Sequence, residues 1–300
     1  MRRILAAASL VASVLSAPPV AAQSGAGARD FEAGRNFLRA NQPDRAERSF
    51  ERAIEKEPRN GTYHLWLGNA VGAQAANASV VRQPFLARRV KSAFERAVEL
   101  DPELLDARDG LIQFHLLAPG VMGGDKAEAR RQQREIARRN VIRGHVAAAN
   151  IAWASRDTAA TERELRAAIA AAPDSVQAHA TLSSRLVQWQ RVPDAFALWD
   201  RYLTRQPASI GGRYQFGRLA AVSGQRLADG ERHLRAILAI DTWPDDNWAP
   251  GKAAAHARLG DVLRQQGKRD DARAAYDRAL ALDPNLQIAK DGRRALGSTN

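Results

Sequence analysis

The side chains in this chain that could move a proton or hold a metal are six histidines (His64, His115, His145, His179, His233 and His256) and 33 carboxylates. A hydrolytic zinc site would need two histidines at helical spacing with a glutamate between them, and a serine hydrolase would need a Gly-x-Ser-x-Gly elbow. Neither pattern occurs. Cysteine is absent, which removes thiol nucleophiles, disulfides and cysteine metal sites. The carboxylates sit beside arginines, as in Glu47-Arg48, Glu51-Arg52, Glu95-Arg96, Glu162-Arg163 and Asp277-Arg278, a pattern of solvated helix faces with local charge pairing. One glycine-rich turn, Gly120-Val121-Met122-Gly123-Gly124-Asp125, precedes a helix near Lys126 and invites comparison with a phosphate cradle. No Gly-Lys-Ser or Gly-Lys-Thr follows it, and Asp125 is placed to cap that helix and would repel an anion.

The elements that carry these residues are read from proline spacing. Pro58, Pro102, Pro173, Pro207 and Pro284 each close an amphipathic helix, with gaps of 44, 71, 34 and 77 residues. A unit of 34 residues accounts for all four gaps if insertions of 10, 3 and 9 residues are allowed, and it predicts seven units. In the last unit His256, Leu259-Gly260, Leu263, Gly267, Ala272, Tyr276, Ala279 and Pro284 recur in a fixed order. Gly34, Phe37, Ala46, Phe50, Ala53 and Pro58 match that order in the first unit, and Leu67-Gly68, Phe94, Ala97 and Pro102 match it in the second. The third unit is the weakest, with Arg131 and Arg134 at small or apolar positions.

On these residues the chain resembles the tetratricopeptide repeat family across roughly residues 27–286. The resemblance implies an all-α fold, an α-solenoid of about seven helical hairpins over residues 27–284, with a capping helix and tail in residues 285–300. Small residues such as Gly260 and Ala272 let two backbones approach, and Pro284 stops the second helix. His64, His145, His179 and His256 fall at the fourth position of their units, where the family places a bulky packing residue. Whole repeats separate them, so packing explains them better than a shared metal or a general base.

By analogy with the family, the first helix of each hairpin lines a concave groove through its second, fifth, ninth, twelfth and thirteenth positions. The candidates are Phe31, Arg35 and Arg39; Leu65 and Asn69; Asn150 and Trp153; Ser184 and Gln188; Tyr214 and Arg218; Asp261 and Arg264. Such a mixture suits an extended peptide or protein segment, whose backbone is held by polar side chains. A clamp for a C-terminal carboxylate, as some members have, is not expected, because Phe31, Leu65, Val146 and Tyr214 replace the lysine.

Three departures from the repeat stand out. About ten extra residues lie within 72–85, where helix formers predict a lengthened hairpin, and the glycine-rich turn lies in the third unit. The third departure runs from Trp243 to Lys252, where Trp243 and Trp248 either anchor a recognition loop or fold back over a hairpin edge. Arg130, Arg134 and Arg138 share one helix face with Arg131 beside them, so Arg131, Arg134 and Arg138 form a candidate anion-binding stripe, with a solvated face as the alternative.

At the N-terminus Arg2 and Arg3 precede an apolar stretch from Ile4 to Leu15 and the small-residue site Val20-Ala21-Ala22, which predicts a signal peptide over residues 1–22 and a short linker over 23–26. That stretch falls short of the ~20 residues needed to span a bilayer, and no later run qualifies. The formal charge of +12 becomes +10 without Arg2 and Arg3. These features predict a periplasmic or secreted binding scaffold with no cofactor, no integral membrane segment and no nucleic-acid partner. An anionic envelope polymer or lipid is the alternative partner, and a cryptic enzyme is the third reading.

Overall fold

The computed structural model describes residues 25–241, 243 and 250–297. Among the described residues it is all-α, with fifteen helices. The signal segment and Trp248 lie outside those residues. In chain order the helices are α1 (Ala28–Arg39), α2 (Pro43–Lys56), α3 (Gly61–Asn77), α4 (Gln83–Leu100), α5 (Leu105–Leu117), α6 (Lys126–Arg139), α7 (Val141–Ala154) and α8 (Thr158–Ala171). They continue as α9 (Val176–Gln188), α10 (Val192–Arg205), α11 (Ile210–Ser223), α12 (Leu227–Leu238), α13 (Lys252–Gln265), α14 (Arg269–Leu282) and α15 (Gln287–Gly297). Taken two at a time they make seven hairpins, with α15 left over. The backbone divides into two compact units, with the division inside α8 between Ala168 and Ile169.

Local chemistry sets the helix ends. Asn60, Asp125, Asn140, Ser175 and Ser209 each accept a backbone N–H in the first turn of the helix that follows, which satisfies donors no helical carbonyl can reach. Prolines open α2, α4 and α10, where a missing N–H costs nothing. Counting each repeat from residues 27, 61, 105, 142, 176, 210 and 253, five hairpins turn on a left-handed residue at the fifteenth position: Asn41, Arg156, Gln190, Gly224 and Gly267. Hairpins two and three lack this turn. The second instead lengthens both helices, to 17 and 18 residues, around the short link 78–82. The third inserts a 3-10 turn, Gly120–Met122.

In the first unit the leading helices α1, α3, α5 and α7 pack in sequence, with α2, α4 and α6 behind them. Its core begins in an aromatic cluster, Phe31 on Tyr63 at 4.9 Å and on Trp66 at 5.9 Å, and runs through Leu86, Val90 and Phe94 to Phe114. A second cluster joins Ile112, Ala129, Ile136, Ala147 and Ile151. The eighth position of the first and second repeats faces a large side chain of the trailing helix, Phe50 and Phe94. A Cβ on Gly68 would lie 2.7 Å from the Phe94 ring, so glycine is what permits the approach.

In the second unit α9, α11, α13 and α15 form the corresponding row, so the final helix takes the place of an eighth leading helix and covers Tyr276. At the eighth position of the fifth repeat stands Ser183, and its hydroxyl accepts the fully buried Trp199 indole N–H at 3.0 Å. A hydroxyl there satisfies a donor that would otherwise be stranded.

Candidate recognition surface

The fourth positions of the second, third and sixth repeats are clasps. His64 Nε2 donates to the Pro58 carbonyl at 3.0 Å, Arg108 donates to the Pro102 carbonyl at 3.3 Å, and Arg213 donates to the Pro207 carbonyl at 2.8 Å. In each case the acceptor is the proline six residues earlier, at the end of the preceding helix. Each proline lies one residue past the C-cap of that helix, and a long donor at this position pairs its carbonyl. Sequence reasoning found the histidines at this register but missed Arg108 and Arg213, which do the same work with a different side chain.

The histidines do not all pack as expected. His179 is buried against Tyr202 at 4.8 Å and Trp199 at 5.9 Å, and His115 is buried against Phe114 at 5.2 Å. Burial pushes both below the ordinary histidine range. His145, by contrast, stays about one-third exposed and pairs with Glu164 at 2.8 Å, tying α7 to α8, and His64 is half-buried. These two are surface ties and not core wedges. Among the described residues no three His, Asp or Glu side chains are grouped to hold a metal ion.

Carboxylate pairing also differs from the expectation of neighbours in sequence, because adjacent helical residues point about 100° apart and do not meet. Glu47 and Glu51 both reach Arg89 of α4, and Asp277 reaches Arg293 of α15. Glu162 pairs with Arg166 one turn on. The charges thus stitch hairpins together as well as dressing their faces.

The arginine stripe of α6 carries local pairs as well. Arg131 pairs with Glu128 at 2.8 Å and Arg138 with Glu135 at 2.5 Å, while Glu135 also binds Arg139. Of the three candidate anion ligands only Arg134 lacks a carboxylate partner among the described residues, and the other two stay exposed beside theirs. The glycine-rich turn holds no anion cradle either: Asp125 accepts Ala127 N–H at 2.7 Å and so occupies the helix terminus.

At the ninth position every hairpin carries a polar side chain. The first unit holds Arg35, Asn69, Gln113 and Asn150; the second holds Ser184, Arg218 and Asp261. Gln113 was not anticipated, because the weak third repeat obscures its register. All but Arg35 are half-buried, which is unusual constancy for a helix whose eighth position is uniformly small or apolar or, in the fifth repeat, a serine tied to an indole. Arg35 is the exception: it lies over the Trp66 ring at 5.3 Å, pairs with Glu32 at 2.8 Å and is largely covered. Its Nε and the Asn69 amide nitrogen are buried donors without an acceptor. In the second unit burial and the neighbouring Arg258 lower the Arg218 guanidinium below its ordinary range, and its one hydrogen bond, to Gln215, is long at 3.4 Å.

The remaining expected contacts divide. Phe31 and Leu65, at the fifth position, are core residues, 1% and 5% exposed, so that position faces inward in the first two hairpins. Val146 and Tyr214 at the same register stay half-buried, as does Trp153. Arg39, Gln188 and Arg264 are exposed at helix ends. Arg39 donates to Asn36 at 2.6 Å, and Gln188 accepts from Arg185 at 3.1 Å. Trp243 donates its indole N–H to the Pro250 carbonyl at 2.8 Å, with the Lys252 ammonium 5.8 Å from its ring. That bond closes the base of the inserted loop on itself.

Comparison with known proteins agrees with this architecture. One tetratricopeptide repeat profile matches residues 253–286 and another matches residues 31–77. No curated protein matches the chain. Yeast Tom70 is similar in fold, with a TM-score of 0.57 at 11% identity over 91% of this chain, which spans 57% of Tom70. A tetratricopeptide repeat protein from Parabacteroides merdae aligns over 91% of this chain and 99% of its own at 12% identity, with a TM-score of 0.47. YrrB, described as a TPR protein with an unusual peptide-binding site, aligns over 82% of this chain and 97% of its own at 16% identity and a TM-score of 0.37. At such identities likeness speaks to fold alone. Repeat profiles matched near both ends and seven hairpins in register between them make this chain a tetratricopeptide repeat protein.

Proposed function

We propose that the chain is a non-catalytic scaffold, exported to the periplasm or beyond, that holds an extended protein segment along the leading helices of its hairpins. The observation that carries this reading is the ninth-position row. A buried or half-buried polar side chain recurs once per hairpin where packing alone would favour an apolar one, and it varies among arginine, asparagine, glutamine, serine and aspartate. Variation of that kind suits reading different parts of a peptide; a repeated structural need would call for one residue type. Two donors of this row, Arg35 Nε and Asn69 Nδ2, have no acceptor among the described residues. Protein–protein interaction is what tetratricopeptide repeats serve in general, and the peptide-binding site named for YrrB is in keeping with it. The signal-like N-terminus supports placing that work in envelope assembly or maintenance.

Site-specific photo-crosslinking in the cell envelope tests the proposal. A crosslinker placed at Asn69, Asn150 or Arg218 should capture a partner, and the same group at the exposed Glu95 or Arg201 of trailing helices should not. Asn69→Ala should lower capture in the first unit without changing helix content. Equal capture from both sets of positions would reject the ninth-position surface. Recovery of the mature chain with residue 23 at its N-terminus from the periplasmic fraction tests export.

A further inference from the structure

Of the eight large hydrophobic side chains exposed among the described residues, five lie at the turns of hairpins two and three: Val80 at 75%, Val81 at 89%, Phe85 at 63%, Leu117 at 58% and Val121 at 95%. These are the two hairpins that replace the tight left-handed turn with inserted residues. The insertions are not loose. Ser79 O accepts the Arg82 and Gln83 N–H groups at 2.9 and 3.1 Å, and Gln83 Nε2 donates to the Ala78 carbonyl at 3.2 Å. Met122 N–H and Gly124 N–H both donate to the Pro119 carbonyl, at 2.8 and 3.1 Å. Ala78, Ala118 and Met122 pack on the same core as Leu86, and the 3-10 turn packs against α4. Both turns are therefore seated on one foundation, with their larger apolar side chains turned outward.

The two segments themselves carry no carboxylate. From residue 78 to residue 94 there are four cations, Arg82, Arg88, Arg89 and Lys91, and no carboxylate; from 116 to 124 there is no charge at all. Arg89 is taken by Glu47 and Glu51, and Lys91 lies 3.7 Å from Glu95. Arg82 and Arg88 are exposed and have no carboxylate partner among the described residues. Spaced three apart with Phe85 between them, Arg82, Phe85 and Arg88 lie on one helix edge.

From this arrangement we infer that the turns of hairpins two and three form a docking edge for an anionic lipid surface. Aliphatic and aromatic tips enter the headgroup region while Arg82 and Arg88 meet lipid phosphates, the combination by which proteins lie on a membrane without crossing it. No helix among the described residues is long and apolar enough to cross. A second copy of this chain is the poorer occupant, because it would bring the same unpaired arginines face to face. The edge is separate from the α6 stripe, whose Arg131 and Arg138 are already paired. It is also independent of the peptide reading, since none of its residues lies at the ninth position.

The test is vesicle flotation with the chain starting at Gln23, which keeps every described helix and omits the apolar N-terminal stretch. Vesicles of phosphatidylcholine with one-quarter phosphatidylglycerol should carry the protein, and phosphatidylcholine alone should carry at least fivefold less. The triple variant V81D/F85D/V121D should lose at least tenfold in bound fraction on anionic vesicles. R82E/R88E should lose most of the binding and most of its salt dependence. V222D/L282D, which alters exposed apolar residues elsewhere, should bind like the parent. The inference is overturned if the parent does not bind anionic vesicles, or if binding survives V81D/F85D/V121D and is lost in R130E/R134E. It is equally overturned if sedimentation shows the parent to be a dimer that V81D/F85D/V121D renders monomeric, which would make a second copy the occupant.

Discussion

His233 of α12 supplies a test of how the second unit depends on pH. Its ring lies 4.5 Å from that of Phe216, and its Nδ1 is 3.4 Å from the Arg213 guanidinium. Burial, reinforced by Arg213 and then Arg232 against the opposing pull of Asp229, lowers its pKa from 6.5 to about 4. An unfolded chain therefore binds a proton below pH 6.5 that the folded chain refuses until about pH 4. Stability from this site is complete above pH 6.5 and is lost as pH falls toward 4. Linkage between those two values makes the step from pH 7 to pH 5 destabilising by about 2 kcal/mol, and partial solvent access reduces that to about 1 kcal/mol. His233→Phe keeps a ring against Phe216 and removes the titration, while Arg213 keeps its bond to the Pro207 carbonyl. Urea unfolding at pH 7 and pH 5, followed on the second unit through Trp199 fluorescence with the other five tryptophans replaced by phenylalanine in both proteins, should show the variant losing about 1 kcal/mol less than the parent over that interval. His115, His179 and His256 are also lowered by burial and leave a residual slope in both proteins. Parallel pH slopes for parent and His233→Phe would refute the reasoning.

Other perturbations probe the packing directly. A Cβ on Gly260 would sit 2.6 Å from the Tyr276 ring, which is held from its other side by Gly292 and by a 2.8 Å bond to Asp261; Gly260→Ala should therefore lower stability in calorimetry by about 1–3 kcal/mol despite its better helix propensity. Ser183→Ala strands the Trp199 indole N–H and should cost about 1–3 kcal/mol in urea unfolding at neutral pH. Gln190 holds φ at +61°, so Gln190→Gly should raise the melting temperature, with a gain of about 1 kcal/mol. A double-mutant cycle on the exposed Arg131 and Glu128 pair should give a coupling under about 1 kcal/mol that shrinks in salt.

What the sequence by itself determined is the repeat and its packing alphabet. Proline spacing located the helix ends, and small residues such as Gly68 and Gly260 marked where helices touch, because both effects act within one repeat and are imposed on single residue types. The fourth-position register was legible for the same reason, yet its purpose was not: Arg108 and Arg213 share the proline-carbonyl clasp with His64 without resembling it. Pairs within one helix follow from spacing alone: Glu128 and Glu135 stand three residues before Arg131 and Arg138, where side chains of one helix meet. Only the tertiary structure decided the pairs between helices. Arg89 finds Glu47 and Glu51 across hairpins, a match that depends on how far neighbouring helices are offset. Phe31 and Leu65 were assigned to the groove by register and lie in the core, because the aromatic cluster of Phe31, Tyr63 and Trp66 closes over that position in the first two hairpins. Exposure was hidden in the same way: nothing in Val80, Val81 and Val121 as letters distinguishes them from core valines, and it is the inserted turns that leave them in water.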